Sequence, residues 1–370
     1  MLYHRDGEKD KSMGNEDLIT IAELFCTDGR VTDIRPVGNG HINDTYRVTA
    51  RDQETGDSGE YILQRINDHI FSDPGGLMDN ITAVTKHIGG RLAVIPARDG
   101  GSWCRYAGGC WRMMTYFSGS YTCEKIDDPE QFREIGRAYG AFIEALSDFP
   151  AETLHETIEG FHDTRKRFDQ LIEAVRKDTE GRKSFAAEEI RFAFEREKDV
   201  DILADCAARG EIPLRVTHND TKINNVLLDR ATGKAVCVID LDTVMPGLAV
   251  NDFGDAIRSG ASTGREDEPD ADSIRLDLEL YRSFARGFLE GCPSLTERER
   301  ELFPVGARMM TLECGIRFLT DYLAGDHYFK TDYPEHNLVR CRTQFRLVRD
   351  MEEKWNEMRA CIDEITAIHQ

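Results

Sequence analysis

Residues 215–242 read RVTHNDTKINNVLLDRATGKAVCVIDLD. The runs NVLLD and AVCVID have strand character and flank the turn-rich Arg230–Lys234, the pattern of an antiparallel hairpin. Polar residues crowd its open end: His218, Asp220, Lys222 and Asn225 enter the first strand, and Asp240 closes the second. Opposed residues in such a hairpin have a constant sum of numbers, and pairing Asn225 with Asp240 centres the turn between Thr232 and Gly233. Without a bulge their side chains stand on one face about 5 Å apart. An amide oxygen and a carboxylate so placed suit a hard divalent cation such as Mg2+. Asp220, in the loop entering the hairpin, is placed to orient a hydroxyl and accept its proton. Lys222 adds a positive charge suited to phosphate oxygens. Taken singly, each residue fits an ordinary solvated loop; together they mark a site.

The rest of the composition sets bounds. The chain has 370 residues, 40% hydrophobic and 31% charged, enough for one large domain or two ordinary ones. A formal charge of −21 excludes a general nucleic-acid binder, which needs a basic face. The expected partner is therefore a small molecule, with no nucleic acid and no membrane, and the expected state is a monomer. Ten cysteines include no C-x-x-C pair, and Cys26, Cys104, Cys237 and Cys314 sit in apolar stretches, as small buried hydrophobes do. Reduced thiols and a start without an apolar signal core point to the cytoplasm, with Met13 as an alternative start.

The periodicities predict an α+β fold of two lobes. A β-rich lobe over residues 1–117 holds strands in VTDIRPVGNGHINDTYRVTA, EYILQRIN, SWCRYA and CWRMMTYF, with a helix around GGLMDNITAVTKHIGG. A helical lobe over 118–370 begins where Asp128 and Pro129 start a helix, with Gln131 completing a capping box. Phe132, Ile135, Tyr139, Phe142 and Leu146 give that helix its buried stripe. One long helix is predicted through AAEEIRFAFEREKDVDILADCAA to Gly210, with more helices from about Ser273 onward.

The H-x-D-x-x-x-x-N segment followed by I-D resembles the aminoglycoside phosphotransferase and choline kinase superfamily, whose fold is similar to that of protein kinases. The resemblance covers most of the chain. It implies ATP and Mg2+ as cofactors, Asp220 as the catalytic aspartate, and Asn225 and Asp240 as metal ligands. It makes His218 a brace of the catalytic loop, Lys222 the catalytic-loop lysine, and Asp255 in NDFGDAIR the anchor of the loop backbone. In the first lobe it gives Gly38 and Gly40 a turn over the phosphates, Arg65 a reach to the α- and β-phosphates, and Met114 to Tyr116 the adenine hinge. The acidic partner expected for Arg65 is missing, since Asn80, beside Asp79, holds that place.

GNGHINDTYRV, YILQRIN, THNDTKINNVLLD, IDLDTVMPGL and NDFGDAIRSG together look like the bacterial N-acetylhexosamine 1-kinases, which phosphorylate the anomeric oxygen. The resemblance implies an N-acetyl sugar as acceptor, with Asn43, Asp44, Arg317 and Tyr328 as its contacts. Arg317 also fits a surface ion-pair ladder with Glu313 and Asp321, four residues either side. Trp355 is expected in the core or as an apolar sugar wall. The alternatives are a kinase of another small alcohol (aminoglycoside, choline or homoserine type) or a nucleotide-binding regulator without turnover.

Overall fold

The computed structural model describes residues 14–37 and 43–368, so Met13, Gly38 and Gly40 lie outside the described residues. The first lobe runs α1 (Asn15–Ala22), β1 (Arg30–Pro36), β2 (Asp44–Arg51), β3 (Ser58–Ile66), α2 (Pro74–Ile88), β4 (Val94–Ile95), β5 (Cys104–Tyr106) and β6 (Gly109–Thr115). Its antiparallel sheet has the order β1-β2-β3-β6-β4, with β5 also on β6. Strand alternation sorts the side chains into two faces. Val48, Tyr61, Leu63, Trp111 and Met113 form one core with Leu18, Ile21 and Ala22 of α1. Ile66, Cys110 and Met114 face the other way, with Leu77, Met78, Ile81 and Val84 of α2. Helix α1 was not expected, because its apolar residues hide in a polar opening. α2 starts where Asp73 caps the Gly76 N–H behind Pro74, and it ends at left-handed Gly89.

The second lobe contains β7 (Ser120–Tyr121), α3 (Pro129–Glu144), α4 (Thr164–Lys177), α5 (Ala187–Phe194), α6 (Ile202–Ala208), β8 (Arg215–Thr217), β9 (Val226–Asp229), β10 (Ala235–Val238), β11 (Met245–Gly247) and α7 (Ala249–Gly260). It closes with α8 (Leu278–Gly291), α9 (Glu297–Glu301), α10 (Phe303–Ala324), α11 (His336–Glu353) and α12 (Trp355–Ile368). The mixed α/β architecture, sheet first and helices after, is the one expected. The α3 stripe is buried as predicted. α3 and α8 cross backbone to backbone: a Cβ on Gly287 would sit 1.9 Å from the Arg133 carbonyl oxygen.

Four local expectations need correction. Asp128 does cap α3, but Gln131 donates to the Tyr121 hydroxyl at 3.1 Å and closes no capping box. The long helix to Gly210 is broken into α5 and α6 by a 3-10 turn at Glu197–Asp199. The break follows from its charged residues, because Arg196 turns to Glu352 at 2.6 Å and Asp199 pairs with Arg308 at 2.9 Å. All ten cysteines are free thiols, yet Cys26 is exposed and Cys104, Cys237 and Cys314 are only half-buried. Trp355 is not in the core; it lies half-buried under Arg308, in a groove with Arg196 and Asp199. Among the described residues no helix is long and apolar enough to cross a membrane.

Candidate active site

The hairpin register differs by one from the simple count. Val226 faces Val238 and Leu227 faces Cys237, and a bulge then shifts Leu228 onto Ala235. Asn225 is therefore opposite Ile239, whose N–H donates to the Asn225 carbonyl at 2.9 Å, and not opposite Asp240. The bulge invalidates the constant sum on which the pairing rested. Two further turns restore the convergence. Asn225 ends a 3-10 turn and donates through Nδ2 to the Asp220 carbonyl at 2.9 Å. Asp240 takes the left-handed conformation at φ 61°, costly for any residue but glycine and least so for Asn and Asp. Asp220 is the common neighbour, bonded by Asn225 and close enough for its charge to act on Asp240.

The loop before the hairpin is held by its backbone. The His218 and Asn219 N–H groups donate to the two oxygens of Asp252 at 2.8 and 2.7 Å, and the Thr221 hydroxyl donates to the Asp252 carbonyl at 2.5 Å. The loop anchor is thus Asp252, one helical turn before the expected Asp255. Asp255 instead binds Arg258 at 2.7 Å, and its second oxygen is buried without a partner. His218 is fully buried, bonds the Ile239 carbonyl oxygen through Nε2 at 2.9 Å and lies edge-on to Tyr139 and Phe142. Asn219 is also left-handed, at φ 63°, and its amide donates to the Thr243 carbonyl at 2.9 Å.

The charges are arranged unequally. Lys222 Nζ sits 2.8 Å from Asp220 Oδ1. Burial works against the Asp220 charge, but Lys222 outweighs it and holds the carboxyl below the usual range. Asp220 in turn raises Lys222. Asp240 keeps exposed surface yet is surrounded by protein, and this desolvation, together with Asp242 and Asp220, pushes it up to about 6. Such a concentration of negative charge beside Asn225 fits a divalent cation, which would relieve it. Among the described residues no three His, Cys, Asp or Glu side chains form a closed metal cluster. Asn225 and Asp240 would therefore leave most of an Mg2+ shell to phosphate and water.

The sheet side departs most from expectation. Arg65 pairs across the ladders with Asp44 and Trp111, on the face of Leu63 and Tyr61, beneath α1. The pleat thus turns both Arg65 and Asp44 away from the face that carries Ile62, Gln64, Arg112 and Met114. Arg112, which sequence reasoning missed, is a fully buried basic residue on that face; it pairs with Asp242 and donates to Gln64 at 2.9 Å. Asn43 is buried and bonds Asp242 at 2.6 Å, so it faces the turn after Asp240. Asn80 forms no pair with Arg65; it donates to the carbonyls of Val244 at 2.9 Å and His155 at 2.8 Å. Met114 has strand neighbours on both sides, and the Tyr116 N–H is taken by the Glu60 carbonyl. Backbone groups for an adenine are therefore to be sought just past Tyr116.

At the opposite end, the ion-pair ladder proposed for Arg317 does not form. Glu313 bonds His162 at 3.0 Å and Thr164 at 2.6 Å, and Asp321 caps the N–H groups of His327, Tyr328 and Phe329. Arg317 instead lies 5.5 Å from the rings of Phe161 and Phe329 and 5.7 Å from Tyr328, which is largely exposed. His162, also missed, bonds the Asn219 carbonyl at 2.8 Å and so ties this wall to the catalytic loop. Burial opposes its charge, but the Glu313 hydrogen bond raises it. No local pattern marks His162, since its partners come from α10 and the catalytic loop.

A model of the phosphotransferase enzyme family matches residues 33–288. The fold is shared with an ethanolamine kinase of Plasmodium vivax at TM-score 0.53 and 15% identity, covering 84% of this chain and 82% of that one. A spectinomycin phosphotransferase in complex with ADP and spectinomycin aligns at TM-score 0.59 and 12% identity, over 92% of this chain and 98% of that one. A choline kinase from Cryptosporidium parvum aligns at 0.52 and 15%, over 90% and 92%.

Proposed function

Because the chain belongs to the phosphotransferase enzyme family, we propose that it is an ATP-dependent, Mg2+-assisted kinase that phosphorylates the anomeric 1-hydroxyl of an N-acetylhexosamine. Its closest alternative is a kinase of another small alcohol, of the aminoglycoside, choline or homoserine type. One observation favours the sugar. The acceptor end carries Arg317 among three aromatic rings, and the acids near it are already committed: Glu313 to His162 and Thr164, Asp255 and Glu266 to Arg258. A cationic acceptor would meet the positive charges of Arg317, Arg258 and Lys222, which oppose it. A neutral polyol with an amide finds donors and an apolar wall.

In this reading Asp220 accepts a hydrogen bond from the acceptor hydroxyl and aims its oxygen at the γ-phosphate. Its depressed pKa makes it a weak base, which suits a loose transition state in which positioning matters more than early deprotonation. The anomeric hydroxyl, more acidic than an ordinary alcohol, makes that demand lighter. Lys222 balances Asp220 and lends positive charge to the transferring group. Asn225 and Asp240 would hold the Mg2+, which neutralises β- and γ-phosphate oxygens when bound. Asp252, by fixing the His218 and Asn219 N–H groups, keeps Asp220 in place.

ADP formation from MgATP over a panel of neutral sugars, N-acetyl sugars, choline, ethanolamine, homoserine and aminoglycosides tests the reading. N-acetylglucosamine or N-acetylgalactosamine should give the highest kcat/KM. Turnover with the amines alone would replace the sugar by the alternative, and no acceptor-dependent turnover would favour the regulator.

A further inference from the structure

We propose that Arg112, acting through Asp242, is the positioning residue that couples the first-lobe sheet to the metal-binding turn, in the place left by Arg65 and Asn80. This rests on the reading of Asp240 as a metal ligand. Arg112 and Asp242 are 1% and 4% exposed, a buried ion pair joining β6 to the turn immediately after Asp240. Asp242 is the hub. One oxygen takes the Arg112 guanidinium, and the other takes Asn43 Nδ2 at 2.6 Å. Asn43 Oδ1 accepts the Asn67 N–H at 3.0 Å, just past β3, and Arg112 Nε reaches Gln64 on β3. A single carboxylate thus gathers the ends of β2 and β3 and the middle of β6.

The turn it holds needs holding. Asp240 is left-handed, and a non-glycine residue stays there only when its surroundings over-determine it. On its far side the turn is fixed by Thr243, whose hydroxyl donates to the His218 carbonyl at 2.7 Å, and by Asn80 at the Val244 carbonyl. On the sheet side the fixation comes from Arg112 and Asn43. Burying an ion pair seldom adds stability over an apolar pair of similar size, so this pair is better explained by the geometry it imposes.

The test separates geometry from stability. Removing Asp242 alone would leave Arg112 buried and unpaired, so the informative variant carries Arg112→Met and Asp242→Asn together, which keeps an acceptor for Asn43. Thermal melting and calorimetric titration with ADP, with Mg2+ and with EDTA, are measured on this variant and the wild type. The proposal predicts near-wild-type melting, MgADP affinity weakened about 10-fold or more, and metal-free ADP affinity changed less than about 2-fold. Wild-type MgADP affinity in a folded double variant overturns it. Should that variant fail to fold, Arg112→Lys, which keeps the charge and loses the planar fork, must still weaken MgADP binding more than ADP binding; equal affinities to wild type overturn the proposal. A wild-type isotherm indifferent to Mg2+ would instead remove the metal reading itself and the proposal with it.

Discussion

The two walls of the cleft are built by different means. On the loop wall, Asp252 holds consecutive backbone N–H groups of His218 and Asn219 across 34 and 33 residues, and the chemistry-bearing side chains are left to face the cleft. On the sheet wall the fixation is made by side chains, Arg112 and Asn43 meeting Asp242 across 130 and 199 residues. A backbone-held loop keeps its shape under many side-chain changes. A side-chain hub concentrates the same task in one carboxylate. The loop wall should therefore be most sensitive at Asp220 and Asp252, and the sheet wall should be indifferent to residues on its outer face.

The largest effect belongs to the loop wall. Asp220→Asn should lower kcat by roughly 100- to 10,000-fold while MgADP binding, read by titration, stays near wild type. Near-normal turnover would end the catalytic assignment. Next, Asp252→Asn places an amide donor against one of two N–H groups and should cost about 1–3 kcal/mol of unfolding free energy. Asp255→Asn should cost less in the same denaturant titration, because its second oxygen has no partner and the Arg258 acceptor survives. A reversed order would make Asp255 the anchor after all.

At the acceptor end, Arg317→Ala should raise the sugar KM by about 10-fold and leave the ATP KM nearly unchanged, the signature of lost ground-state contact. Equal rises in both constants would assign Arg317 to general structure. The smallest effect sharpens the comparison: Arg65→Ala, on the face beneath α1, should change the ATP KM by less than about 2-fold. A large rise would mean that the side chain reaches round the sheet edge to the phosphates.

What the sequence discloses follows the same division. Asp220, Lys222, Asn225 and Asp240 lie within one loop and hairpin, so their grouping is visible in spacing alone. Even there, the bulge before Cys237 and the left-handed Asp240 escaped the count, because both are backbone choices that residue types do not announce. Choosing between Asp252 and Asp255 needs the phase of α7 against the loop, and three residues is nearly a full turn. The face on which Arg65 falls needs strand phase, where one residue reverses every side chain. Arg112, Asp242 and His162 find their partners only through tertiary folding. The two-lobe order was legible because helix and strand periodicities separate so cleanly along the chain, except where α1 opens in polar surroundings.

The most direct test of the whole account is the product itself. A mixture of the protein, MgATP and N-acetylglucosamine or N-acetylgalactosamine, followed by phosphorus NMR, should yield ADP and a sugar phosphate whose resonance couples to the anomeric proton. A phosphate at another hydroxyl, or transfer only to an amino alcohol, would contradict it.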